Sequence, residues 1–289
     1  MNTHLPVDNL NRADRLRTAT TFLFVPGDRP DRYRKALASN VDFIIIDWEA
    51  SVAPQRKSFA RDATLSFLSD CGDARIVVRL NPSHSDDFDS DLIAVREGFA
   101  GIAGAFLTMV EADDELKRAI KLLPATLPAV AMIESAKALL NVDAIARSGL
   151  VCRVAFGNMD FQTDLDLPPD EYIGLIYPSS RIAIASRAAG LPAPIAGATE
   201  NFSDLVFFEQ SARAERNLGF RAKLCIHPSQ VPIAQAIFGT TEAEVQWARR
   251  IMEASRESHA ISIDGRMIDR PVIDRARNIL LQAGHTVKS

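Results

Sequence analysis

The chain carries only three cysteines among its 289 residues, Cys71, Cys152 and Cys225, far apart and with no C-x-x-C pair. That gives no support to a disulfide framework or a thiolate metal cage, and it fits buried thiols in a reducing compartment. No apolar run approaches the roughly 18 residues of a membrane span. The first twenty residues, MNTHLPVDNLNRADRLRTAT, are polar and lack the apolar core of a signal peptide. A cytoplasmic protein with no membrane partner is therefore expected. Neither sign of charge dominates, since 33 Lys and Arg against 37 Asp and Glu leave −4. The basic clusters (Arg29, Arg32, Arg34, Lys35; then Arg56, Lys57, Arg61) are too short to follow a nucleic-acid backbone. No G-x-G-x-x-G or Walker loop follows any strand-like run, so a dinucleotide-binding fold has no fingerprint.

What is present is a rhythm. Apolar runs at 21–27, 43–49, 76–81, 102–109, 128–134, 151–160, 193–198 and 222–228 start 22 to 42 residues apart, the length of one strand–helix unit. Runs this apolar suit strands buried on both faces, as in a parallel sheet. Segments such as 31–39, 54–70 and 112–123 carry the helical period between them. Eight alternations predict a (β/α)8 TIM barrel spanning residues 1–228 with its N-terminal extension. Residues 229–289 remain as a C-terminal arm or lid. It holds a helix near Glu242–Glu257, a hairpin over 261–269 with Asp264-Gly265 at its turn, and a helix opening at Pro271. An acidic, Pro-containing loop, 160–171, follows the sixth run.

In a barrel, chemistry gathers at the C-terminal ends of the strands. The runs deliver Asp47, Trp48 and Glu49 from the second, Arg79 and Asn81 from the third, Glu134 from the fifth, Asp160 from the sixth and His227 from the eighth. Arg17 lies just before the first. Any one such carboxylate serves equally well as a helix cap, and His227 as a structural hydrogen-bonder. Several carboxylates and two arginines in one mouth are costly unless a cation or charged ligand neutralises them. Glu134 and Asp160 end neighbouring strands. Two hard oxygen ligands without a nearby His or Cys favour Mg²⁺, completed by water and substrate oxygens. Arg79 offers a planar fork for a substrate carboxylate.

The motifs occur in order: Phe22-Leu23-Phe24-Val25-Pro26-Gly27, Asp47-x-Glu49, Val78-Arg79-x-Asn81, Ile133-Glu134-Ser135, Gly157-x-x-Asp160, Lys223-x-x-Ile226-His227-Pro228-x-Gln230 and Asp264-Gly265-x-Met267-Ile268-Asp269. Together, from about Arg17 to Ala276, they resemble the citrate lyase β-subunit-like branch of the HpcH/HpaI aldolase group. The resemblance implies a TIM barrel, commonly a homotrimer, that binds Mg²⁺. Its implied reaction cleaves or forms a 3-hydroxyacyl thioester of the citryl-, malyl- or citramalyl-CoA type, to or from an acetyl thioester and a 2-oxo acid. It also implies roles: Glu134 and Asp160 as metal ligands, with Glu134 facing the substrate; Arg79 as carboxylate clamp; Arg17 as a second anion contact; Glu49 ordering the metal's water shell; Asp269 as acid/base reaching a neighbouring subunit. The carrier can be CoA or an acyl-carrier protein. Two alternatives remain: an aldolase of free 2-oxo acids without CoA, and a non-catalytic subunit that binds Mg²⁺ and a 2-oxo acid. Ala50 and Met109 depart from the family pattern, which has Asp and Lys there. Joint loss of two partners would leave no buried charge unpaired.

Overall fold

The computed structural model describes residues 9–168, 172–257, 261–263 and 266–283. Eight strands, β1 (Thr21–Pro26), β2 (Phe43–Asp47), β3 (Ile76–Leu80), β4 (Gly104–Leu107), β5 (Ala129–Ile133), β6 (Arg153–Phe156), β7 (Ile195–Ala196) and β8 (Ala222–Cys225), pair in parallel in chain order. β8 closes on β1, with Phe22 opposite Leu224. The predicted (β/α)8 barrel is what forms. Helices α1 (Asn9–Thr18), α2 (Tyr33–Leu37), α3 (Lys57–Asp70), α4 (Phe88–Glu97), α5 (Asp113–Leu122), α6 (Ala136–Leu140), α7 (Val142–Arg147), α8 (Asn158–Asp164), α9 (Ile173–Ala188), α10 (Leu205–Asn217) and α11 (Val231–Phe238) accompany it.

The apolar runs look continuous because both faces are buried, but a period of two is hidden in them. Leu23, Ile44, Ile46, Val78, Ala105, Ile133 and Val154 face the surrounding helices. Phe22, Phe43, Ile45, Val77, Phe106, Val130, Met132 and Leu224 fill the barrel interior, where Leu16 and Ala19 join them from α1 and the segment after it. Phe22 stacks on Phe43 at 5.7 Å and meets Phe106 edge-on at 5.5 Å. The interior is a packed core.

Strand ends are shorter than the runs suggest. The sixth run, 151–160, splits into β6 and α8, so Asp160 stands in the first turn of a helix and not at a strand end. The compact units are Met1–Phe238 and Gly239–Ser289. The expected division at 228 falls ten residues earlier, because α11 packs on β8, β1 and α10 and belongs with the barrel. In the second unit α12 (Glu242–Glu257) packs on α13 (Arg270–Gln282) through Val245, Ala248, Ile251, Ala276 and Leu280. β9 (Ile261–Ile263) and β10 (Arg266–Ile268) pair antiparallel. Their expected Asp264-Gly265 turn, and 169–171 of the acidic loop, lie outside the described residues. Among the described residues, no helix is long and apolar enough to cross a membrane.

Candidate active site

Continuing the inward-facing sets by one step of two residues leads to the site. Ile45 is followed by Asp47, Val77 by Arg79, Met132 by Glu134, and Phe22 by Phe24. These side chains form the last inward layer, at the C-terminal mouth. Arg79 is almost wholly buried and occupied on one edge: Nε donates to Asp47 Oδ1 at 2.7 Å and Nη2 to Oδ2 at 2.6 Å. Nη1 lies 3.2 Å from Glu49 Oε2, and the guanidinium sits 4.7 Å above the Phe24 ring. Asp47 also accepts the N–H groups of Glu49 and Ser51, tying the turn after β2 to its own strand end. Burial pushes the Asp47 carboxyl up, but Arg79 and these N–H donors outweigh it and hold it below the ordinary range. The sequence reading left Asp47 without a role. The period of two was the signal that turns Asp47 inward, as it turns Arg79.

Glu134 is 2% exposed. Its Oε2 accepts the Met109 N–H at 2.7 Å, and Met109 holds the left-handed φ of 49° that aims this donor inward. Gly157 makes room for the carboxylate: a Cβ built there would stand 2.6 Å from Glu134 Oε1. Burial pushes the Glu134 carboxyl up to about 8; Asp160 and Glu49 add to this, while the Met109 N–H and Arg79 oppose it. Glu49 is likewise raised, chiefly by burial, against the pull of Arg79. The mouth thus sets Asp47, Glu49, Glu134 and Asp160 against one arginine, itself committed to Asp47. Such a surplus of carboxylate accepts a hard divalent cation. Among the described residues no three His, Cys, Asp or Glu side chains form a metal-ligating group. A closed zinc-type cage is therefore absent from them, whereas an ion that keeps several waters, as Mg²⁺ does, needs only the Glu134 and Asp160 oxygens.

Other candidates lie elsewhere. Arg17 is on α1, where its Nη1 reaches the Cys152 carbonyl at 3.5 Å beside the start of β6. That is the opposite end of the barrel, about 13 Å of strand from the mouth at some 3.3 Å per residue. The expectation of an anion contact there is corrected: being near β1 in sequence placed Arg17 at that strand's N-terminal end. With buried Arg153, which donates to the Leu16 and Ala19 carbonyls, it ties α1 across the barrel base. Asp269 is exposed and caps α13, accepting the Val272 N–H at 3.3 Å. His227 caps a short 3-10 turn, bonds Ser229 and stacks on Phe202 at 5.2 Å. Asn81 donates to the Trp48 carbonyl and to Asp91. Ala50 is exposed, so an acid at that position would not be a buried charge, and the paired-loss argument fails there.

An open cleft of about 410 Å³ begins at Asn158 and Met159, beside Asp160, and extends along Gln162, Tyr172, Thr199 and Phe207. Among the described residues no lysine or arginine lines it.

A closed parallel barrel with a buried carboxylate and a committed arginine at its C-terminal mouth defines an enzyme of the TIM-barrel class. The chain belongs to the HpcH/HpaI aldolase/citrate lyase family, whose model matches residues 20–228. It is 31% identical to a citrate lyase subunit beta-like protein of Deinococcus radiodurans, over 90% of this chain and 95% of that one. Against the human mitochondrial citramalyl-CoA lyase it is 26% identical, covering 90% and 84%. The crystal structure of protein CitE from Mycobacterium tuberculosis in complex with magnesium, acetoacetate and coenzyme A superposes with a TM-score of 0.76 at 29% identity, covering 93% and 100%. By this membership the chain is a lyase.

Proposed function

We propose that this lyase is Mg²⁺-dependent and cleaves or forms a 3-hydroxyacyl thioester of the citryl-, malyl- or citramalyl-CoA type, to or from an acetyl thioester and a 2-oxo acid. The observation that carries this reading is Glu134, a buried carboxylate raised to about 8 that faces two more acids around one committed arginine. Glu134 and Asp160 are the residues that would hold Mg²⁺. When bound, the ion supplies Lewis acidity and a chelating template for the oxygens of the 2-oxo acid portion. The M. tuberculosis neighbour, with its magnesium, acetoacetate and coenzyme A, supports both the metal and the thioester.

The chain's own groups divide the remaining work. Asp47 takes Nε and one Nη2 donor of Arg79, and the guanidinium has five N–H groups in all. The others face Glu49 and the substrate carboxylate. Glu49, held at Arg79, orders water in the mouth. In the cleavage direction a base takes the substrate's hydroxyl proton, the C–C bond breaks as the hydroxyl carbon becomes the 2-oxo carbon, and its electron pair passes to the thioester enolate. Protonation at carbon then yields the acetyl thioester. We assign this proton shuttle to Asp269 of an adjacent subunit in a homo-oligomer, a trimer or a multiple of three. Closure of such an arm also excludes water. The acyl thioester arm runs into the cleft beside α8.

Turnover of citryl-, malyl- and citramalyl-CoA, with calorimetric binding of oxaloacetate, pyruvate and glyoxylate, tests the reading. The absence of cations from the described cleft lining favours one second reading, aldol chemistry on free 2-oxo acids without CoA. Aldol turnover of the free acids with no thioester cleavage would select it. Binding without any turnover would instead mark a non-catalytic subunit.

A further inference from the structure

We infer that Asp164 is a positioning residue of the metal site, holding Asp160 opposite Glu134 through a single backbone hydrogen bond. The inference rests on the reading of Glu134 and Asp160 as the metal-binding pair. The two acids are unequally constrained. Glu134 follows β5 directly and is fixed by burial, by the Met109 N–H and by the Gly157 gap. Asp160 is exposed on α8, a seven-residue helix whose one buried side chain is Phe161.

At its N-terminal end α8 is attached to the neighbouring strands: Gly157 donates to the Ile133 carbonyl at 2.9 Å, and Asn158 Nδ2 to the Ala198 carbonyl at 3.0 Å. Phe161, edge-on to Phe156 at 5.3 Å, adds an apolar anchor on the side that faces the core. The polar tie at the other end is Asp164 in the helix's last turn, whose Oδ2 accepts the Ala136 N–H at 2.7 Å across 28 residues. Residues 160 and 164 are four apart and share one helix face. The face that presents Asp160 to the mouth is thus the face that Asp164 docks onto the segment two residues after Glu134. The donor is available because Ala136 opens α6, where the first N–H groups have no partner within the helix. Ser135 caps only the Ala138 N–H, leaving that of Ala136 for Asp164.

The test titrates the metal-free full-length protein with Mg²⁺ alone by calorimetry, beside its metal-free Tm. Asp164→Ala is expected to weaken Mg²⁺ affinity roughly 10- to 100-fold, the usual range for a residue that orients a ligand. Asp164→Asn keeps an oxygen that accepts the same bond and is expected to restore most of the affinity. Ala136→Pro removes the donor without touching either acid. Proline is well placed at the first helical position, and Ser135 before it is already extended (φ −141°, ψ 163°). It is expected to reproduce the loss seen in Asp164→Ala, and it carries the test should that variant fail to fold. Glu134→Ala and Asp160→Ala serve as references. If they abolish Mg²⁺ binding while Asp164→Ala and Ala136→Pro bind as the parent does, the positioning role is overturned and the metal site stands. A lowered Tm with unchanged affinity would reduce Asp164 to a helix cap and overturn it equally. So would a loss in Asp164→Asn as large as in Asp164→Ala, which would make charge the cause instead of the bond. If the reference variants bind Mg²⁺ unchanged, the metal-site reading falls, and the positioning role with it.

Discussion

Replacing Glu134 by glutamine should stabilise the metal-free protein at alkaline pH. The carboxyl is raised from its ordinary 4.5 to about 8, first by burial and then by the neighbouring Asp160 and Glu49. Between those two values the folded protein holds a proton that the unfolded chain has released, so stability is lost as pH rises through this window. Above pH 8 the carboxylate is charged in both states and the full cost applies, at most about 5 kcal/mol at 1.36 kcal/mol per pH unit. Water entering the open mouth lowers that ceiling, and we expect about 1–3 kcal/mol. Glutamine keeps an oxygen for the Met109 N–H and cannot ionise. Urea unfolding of both proteins in chelator from pH 5.5 to 8.5 measures the effect. The parent should lose stability across that range relative to Glu134→Gln, and the gap should close near pH 5. Saturating Mg²⁺ at pH 8 should stabilise the parent, by about 2.7 kcal/mol at a hundredfold excess over its Kd, and leave the variant unmoved. Parallel stability–pH curves in chelator would refute the reasoning, because they would mean that Glu134 carries no desolvation cost.

Gly157→Ala places a methyl group 2.6 Å from Glu134 Oε1 at an ordinary negative φ, so its effect is steric; Mg²⁺ affinity by calorimetry should fall roughly 10- to 100-fold. Arg79→Lys keeps the charge but loses the fork, and binding of 2-oxo acids should weaken by about 1–3 kcal/mol. Equal binding by the lysine variant would confine Arg79 to its pair with Asp47. Asp269→Asn subunits mixed with Glu134→Ala subunits should regain part of the activity that each lacks alone. Demonstrably mixed oligomers without activity would leave Asp269 as the cap of α13.

The alternation of apolar runs with helical segments determined the barrel on its own, because strands buried on two faces and helices buried on one leave different periodicities in a sequence. It also placed Glu134 and Arg79, which sit one inward step beyond the last core residues of their strands. Asp160 was legible as a residue near the mouth, but the run was read through Gly157-Asn158, the polar break where β6 stops and α8 begins. The place of Arg17 was legible as well: a residue that precedes β1 stands at that strand's N-terminal end, which is the base of the barrel and not its mouth. Only the tertiary structure decided which charges compensate one another. Asp47 and Arg79 are 32 residues apart and meet only because β2 and β3 pair in a register that sets them side by side. The Gly157 gap, the inward Met109 N–H and the bond from Asp164 to Ala136 have the same origin. Each joins residues whose separation along the chain carries no information about their distance in space.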